Sequence, residues 1–118
     1  MFPTHVKIGP HYFEIQFASK KVLGENDGTL GFRDFCLELY EDLPPAMMIE
    51  TLLHECLHGA LEKIELEEDD EELLVETLSR AIVAGILDNP VLARLIVNIL
   101  LAEKKKCEKP VDKPRSRA

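Results

Sequence analysis

From Ala46 to Ile64 the chain has no proline and a single glycine, Gly59, and its apolar residues Ile49, Leu52, Leu53, Cys56, Leu57, Ala60, Leu61 and Ile64 recur at intervals of three and four. That period belongs to one face of a helix, so a helix must occupy the middle of the chain and the rest must be arranged around it. Pro44-Pro45 marks its start, since a proline in the first turn lacks only an N–H that would have no intrahelical partner. Upstream the period changes to two. His5–Ile8 and His11–Phe17, joined by Gly9-Pro10, read as two strands, with Phe13, Ile15 and Phe17 on one face. Residues 24–31 (GENDGTLG) read as a loop of turn formers, and Phe35–Tyr40 as a further strand with Phe35, Leu37 and Leu39 on one side.

Downstream, an acidic linker (Glu65–Asp70) precedes a second helix that starts near Asp69, where Asp69 and Glu72 have capping-box spacing, and runs to about Leu87 through Leu73, Leu74, Leu78, Ala81, Ile82 and Ile86. Asn89 as N-cap and Pro90 at the first helical position open a third helix that reaches about Lys106. The expected fold is α+β: a small N-terminal antiparallel sheet followed by three helices, in one domain over residues 1–106. Residues 107–118 form a basic tail expected to be disordered. With 118 residues there is little room for a second domain.

The chemistry lies in His54-Glu55-Cys56-Leu57-His58, an HExxH within the strongest helical pattern of the chain. Residues four apart on a helix share a face, so both imidazoles reach one ion, and zinc is held by histidine nitrogen at about 2.0–2.1 Å. Glu55 is turned by roughly 100° from His54, close enough to a zinc-activated water to take its proton without binding the metal. Tetrahedral zinc with one open position needs a third protein ligand. His5 and His11 are candidates from the sheet. The HExxHxxGxxH pattern is absent, because Leu61 stands where its glycine would be. A second helix folded back on the first brings glutamates into range. Glu76, set among Leu73, Leu74, Val75 and Leu78, is the preferred one, and Glu72 is the competitor, though helix capping explains it equally well.

TLLHECLHGAL, the acidic linker and EELLVETLSRAIVAGILDNP together resemble small phage-type zinc metallopeptidases, similar to minimal gluzincins and to the ImmA/IrrE and SprT-like families, over Phe35–Pro90. The resemblance implies a zincin-like fold with Zn2+ on His54, His58 and Glu76, and Glu55 as catalytic base. It also implies a strand, here Phe35–Tyr40, along which a peptide substrate adds by β-strand pairing. The expected activity is zinc-dependent hydrolysis of peptide bonds in a specific protein substrate. The alternative is a zinc-stabilised interaction module of a phage or mobile element without useful activity. Tyr12, Tyr40 and His11 are the aromatic donors available to an oxyanion. Cys56 is turned away from both histidines and reads as a small core residue.

Charge and cysteine usage limit the partners. A net charge of −8 argues against nucleic acid. Residues 62–76 concentrate nine acids with one lysine, while residues 103–118 carry seven basic residues and three acids. The odd, scattered Cys36, Cys56 and Cys107 form no disulfide framework and suit a reducing cytoplasm. The longest apolar stretch, Val91–Ala102, is broken by Arg94 and Asn98 and is too short to span a membrane.

Overall fold

A computed structural model describes residues 2–108, so the expected tail falls outside the described residues from position 109 onward. The elements are β1 (His5–Ile8), β2 (His11–Ala18), a one-turn α1 (Lys20–Leu23), β3 (Gly28–Gly31), β4 (Cys36–Tyr40), α2 (Pro45–Ala60), α3 (Glu68–Asp88) and α4 (Pro90–Glu108). The class is α+β, as the two sequence periods require. The chain falls into two compact units, Met1–Val83 and the segment from Ala84 onward.

The sheet is mixed, in the order β1-β2-β4-β3. β1 pairs antiparallel with β2, with Val6 opposite Phe13, and β3 pairs antiparallel with β4, with Leu30 opposite Leu37. Between them β2 and β4 run parallel, with Ile15 opposite Leu37. The expected antiparallel sheet is corrected here, and the reason is β3. Its sequence Gly-Thr-Leu-Gly carries too little strand character to stand out from the turn formers around it, yet it closes a hairpin with β4 and takes the edge. β4 is thereby bonded on both sides.

The core follows from the alternation. Phe13, Leu37 and Leu39 are fully buried, and Ile8 and Ile15 nearly so, all on one sheet face. Burying each such side chain contributes about 1.5–3 kcal/mol. Met48, Leu52 and Cys56, spaced by four along α2, pack onto this face. Gly59 permits the close approach: a Cβ there would lie 3.0 Å from Leu30 Cδ2 and 3.1 Å from Ile8 Cγ2.

One boundary and two side-chain roles differ from the sequence reading. α2 stops at Ala60, with the Leu61 N–H bonded to the carbonyls of Leu57 and Gly59, so residues 61–64 are a turn and not helix. α3 starts at Glu68, and Glu72 faces α2 in place of a capping role. Asn89 holds the expected N-cap position of α4, its carbonyl accepting the Ala93 N–H at 3.0 Å, while its side-chain amide donates back to the Gly85 carbonyl at 3.0 Å and closes α3. On α3 the buried residues are Val75 and Ser79, while Leu73, Leu74, Leu78, Ile82 and Ile86, the apolar residues that mark the helix in the sequence, are exposed. No single helix among the described residues is long and apolar enough to cross a membrane.

Candidate metal centre

His54 and His58 project from consecutive turns of α2, on a different face from the Met48-Leu52-Cys56 stripe that holds the helix to the sheet. Their ring centroids are 4.8 Å apart and their Nε2 atoms 3.2 Å apart. Glu72, from the second turn of α3, places Oε1 3.0 Å from His54 Nε2 and 3.1 Å from His58 Nε2. Three donor atoms from two helices thus meet at one point. Ligands on a tetrahedral zinc at 2.0–2.1 Å stand about 3.3–3.4 Å from one another. The observed spacing is close to that, and two imidazoles with one carboxylate form a donor set that zinc accepts.

The hydrogen bonding supports the same reading. His58 Nδ1 lies 2.6 Å from Glu71 Oε2, and a carboxylate only accepts, so Nδ1 carries the proton. In neutral His58 the Nε2 atom then presents a lone pair to Glu72 Oε1, itself an acceptor. Two lone pairs at 3.1 Å repel unless a proton or a metal cation lies between them. Burial works against the charged form of His58, but its bonds to Glu71 and Glu72 outweigh that and hold its pKa above the ordinary histidine range. Burial also works against the charged form of Glu72, and is outweighed by the histidines, which leave its carboxyl below the ordinary range. The cluster attracts positive charge.

Glu72, not Glu76, stands with the two histidines. Glu76 is one turn further along α3, lines the same cleft, and lies 3.8 Å from the Arg80 guanidinium. The difference comes from the turn. Because α2 ends at Ala60, the midpoint of the connection is Ile64, and Glu72 lies eight residues beyond it, as Cys56, midway between the histidines, lies eight before. Extending α2 to Ile64 moves that midpoint along the chain and favours Glu76. Glu71 went unnoticed in sequence because nothing separates it from the other acids of residues 65–72.

Glu55 occupies the turn between the histidines. It is 8% exposed, lines the cleft and makes no hydrogen bond or ion pair among the described residues. Burial raises its pKa, and His54 and His58 pull it partly back. The neighbouring Cys56 packs into the sheet core, and burial followed by the Glu55 charge pushes its thiol up to about 11, so it stays protonated and does not compete for a metal.

The cleft has a volume of about 300 Å³. α2 contributes Glu50, Thr51, His54 and Glu55; α3 contributes Glu72, Glu76, Ser79 and Arg80; the segment Glu25–Gly28 forms the remaining wall. Gly28 brings β3 against α2: a Cβ there would lie 2.8 Å from Thr51 Cγ2 and 3.4 Å from Glu55 Cγ. None of the other candidates reaches this place. His5 meets the Thr4 hydroxyl at 3.0 Å, His11 stacks at 4.9 Å from Phe35, Tyr12 is exposed, and the Tyr40 hydroxyl points to Asp42 at 3.5 Å. The donors that do line the cleft are Asn26, Thr51, Ser79 and Arg80. No protein-family model, curated protein or solved structure matches the chain.

Proposed function

We propose that this chain is a zinc-dependent peptidase in which His54, His58 and Glu72 hold the metal and Glu55 is the general base. The observation that carries the reading is the convergence of three donor atoms from α2 and α3 within 3.0–3.2 Å of one another, beside a buried carboxylate without a partner among the described residues. A site with only a structural role has no need of Glu55, since an unpaired buried carboxylate costs stability. Two histidines from HExxH followed by a glutamate from the next helix is also the ligand order of the gluzincins that the sequence resembles.

When bound, zinc supplies Lewis acidity and a water acidified toward neutral pH. Glu71 fixes the His58 tautomer by accepting Nδ1–H, so that Nε2 is the ligand atom. Glu55, with its raised pKa, takes the proton from the attacking water and returns it to the leaving amine. The peptide adds to β3. The interior strand Cys36–Tyr40 cannot take it, because both of its edges are already hydrogen-bonded, whereas β3 has a free edge among the described residues and enters the cleft at Gly28. The free thiols of Cys36, Cys56 and Cys107 fit a cytoplasmic enzyme.

The test compares wild type with Glu55→Gln, both loaded with zinc, on a peptide library read by mass spectrometry. Both proteins retain about one zinc, and the variant loses hydrolysis by about 10²–10⁴-fold. Equal hydrolysis by the two, or none by zinc-loaded wild type, overturns the peptidase reading.

A further inference from the structure

Outside the metal cluster, the cleft wall carries four more carboxylates: Glu25 and Asp27 before β3, Glu50 on α2 and Glu76 on α3. Their charge is only half matched. Asp27 is paired with Lys20 at 3.0 Å. Glu50 and Glu76 share one cation, the Arg80 guanidinium, 3.8 Å from each, and this side chain is 67% exposed. Glu25 has no ion pair among the described residues. Among the described residues, two carboxylates are therefore in excess. A divalent ion held by the cluster does not change this, because its charge is balanced by Glu55 and Glu72.

The excess negative charge is not arranged for a second metal. Among the described residues, His54, His58 and Glu72 are the donors gathered within 4.8 Å of one another, and the four wall carboxylates come from three separate segments. A spread of this kind suits a cation on a long, flexible stem. That the space receives a ligand has independent support in Glu55, which is 8% exposed, without a partner, and faces the same cleft.

We propose that the cleft selects a peptide with a lysine or arginine beside the bond at the metal, its cationic head seated among Glu25, Glu50 and Glu76. The inference rests on the peptidase reading for its substrate and names the class of that substrate. Arg80 marks the place, since a guanidinium of the chain already lies between two of the three carboxylates at a distance too long for a hydrogen bond.

The test uses the full chain loaded with zinc and two labelled peptides that differ only in one position, lysine or norleucine, with binding measured by fluorescence anisotropy. Three proteins are compared: wild type, Glu25→Gln/Glu50→Gln, and the control Glu62→Gln/Glu65→Gln, which removes the same charge from exposed positions away from the cleft. All three keep their zinc. Wild type and control bind the lysine peptide about tenfold more tightly, and the cleft variant reduces this preference to about twofold. An equal affinity for the two peptides in wild type, or an equal loss in cleft variant and control, overturns the proposal in favour of general attraction to an acidic protein. Cleavage of the same peptides is read separately. A lysine preference in binding without cleavage removes the peptidase reading and leaves the cation seat, while cleavage without preference does the opposite.

Discussion

Substituting glutamine at position 72 and, separately, at position 76 distinguishes the two candidate ligands by the size of the effect. Glu72 Oε1 is within 3.1 Å of both imidazole nitrogens, so Glu72→Gln replaces the one anionic donor of the cluster with a weaker neutral one. Loss of a residue that merely supports a metal ligand costs 10–100-fold in affinity. Loss of the ligand itself should exceed this, so zinc binding weakens by at least about 100-fold. Glu76 stands apart from the donor group and lies against Arg80, so Glu76→Gln changes affinity by no more than about threefold, the size of a screened surface charge. Competition against a chromophoric chelator measures both. Thermal melting provides a second reading: at a fixed excess of zinc, a 100-fold weaker site forfeits about 2.7 kcal/mol of ligand-induced stability. For a chain of this size that is a loss of roughly 10 °C from the zinc-induced rise in Tm. Comparing the zinc-induced rise, and not Tm itself, removes any change in the metal-free fold. If Glu76→Gln costs more affinity than Glu72→Gln, the cluster has been assigned the wrong carboxylate.

Three further outcomes follow from the same contacts. Glu71→Gln weakens zinc binding by about 10–100-fold while leaving one zinc per chain at saturation, because it removes the acceptor that fixes the His58 ring; chelator competition measures it. Glu55→Gln slows hydrolysis by the same factor of about 10²–10⁴ yet stabilises the metal-free protein by about 1 kcal/mol at neutral pH, since burial holds the folded pKa of Glu55 above its unfolded value. The sign is specific: the penalty is absent at acid pH, where both states are protonated, and develops as the pH rises through the raised pKa, so denaturant titrations of the two proteins converge in acid. Gly59→Leu forces side-chain atoms onto Leu30 and Ile8, which a Cβ alone already meets at 3.0–3.2 Å, and lowers stability by about 1–3 kcal/mol in urea unfolding.

The elements with strong periodicity were legible. The alternation in His11–Phe17 and Phe35–Tyr40 places Phe13, Ile15, Leu37 and Leu39 in the core, and the three-and-four spacing in the central helix places His54 and His58 on one face. What could not be read depended on geometry between elements. Gly28–Gly31 has only two side chains to declare itself, and its role as an edge comes from pairing with β4. The end of α2 at Ala60 instead of Ile64 has no sequence punctuation, because Leu61, Glu62, Lys63 and Ile64 are all compatible with a helix. That one turn decides which glutamate meets the histidines. The apolar stripe Leu73, Leu74, Leu78, Ile82 and Ile86 has the period of a core face but is exposed, so period alone identified the helix and not the side it buries.

That exposure bears on how α3 is held. Of its residues only Val75 and Ser79 are buried, which is a small apolar anchor for 21 residues, and all five residues Glu68–Glu72 are acids that crowd this turn. The polar contacts with α2 are therefore a large part of what fixes its first turns: Glu72 to both histidines, and Glu71 to His58. In the metal-free chain these contacts are strongest when His58 is protonated, and as the pH rises through its raised pKa the facing lone pairs begin to oppose them. A divalent cation reverses that balance, turning the repulsive contact into the strongest link between the two helices. Amide hydrogen exchange of residues 68–79 should accordingly slow by tenfold or more on adding zinc at alkaline pH, about the effect of 1.4 kcal/mol on local opening. Strands β2 and β4, held by the hydrophobic core, should change little. In Glu72→Gln the slowing on α3 should be lost. Uniform slowing across sheet and helices would instead mean that the metal stabilises only the global fold, and that α3 is anchored by contacts other than those of Glu71 and Glu72.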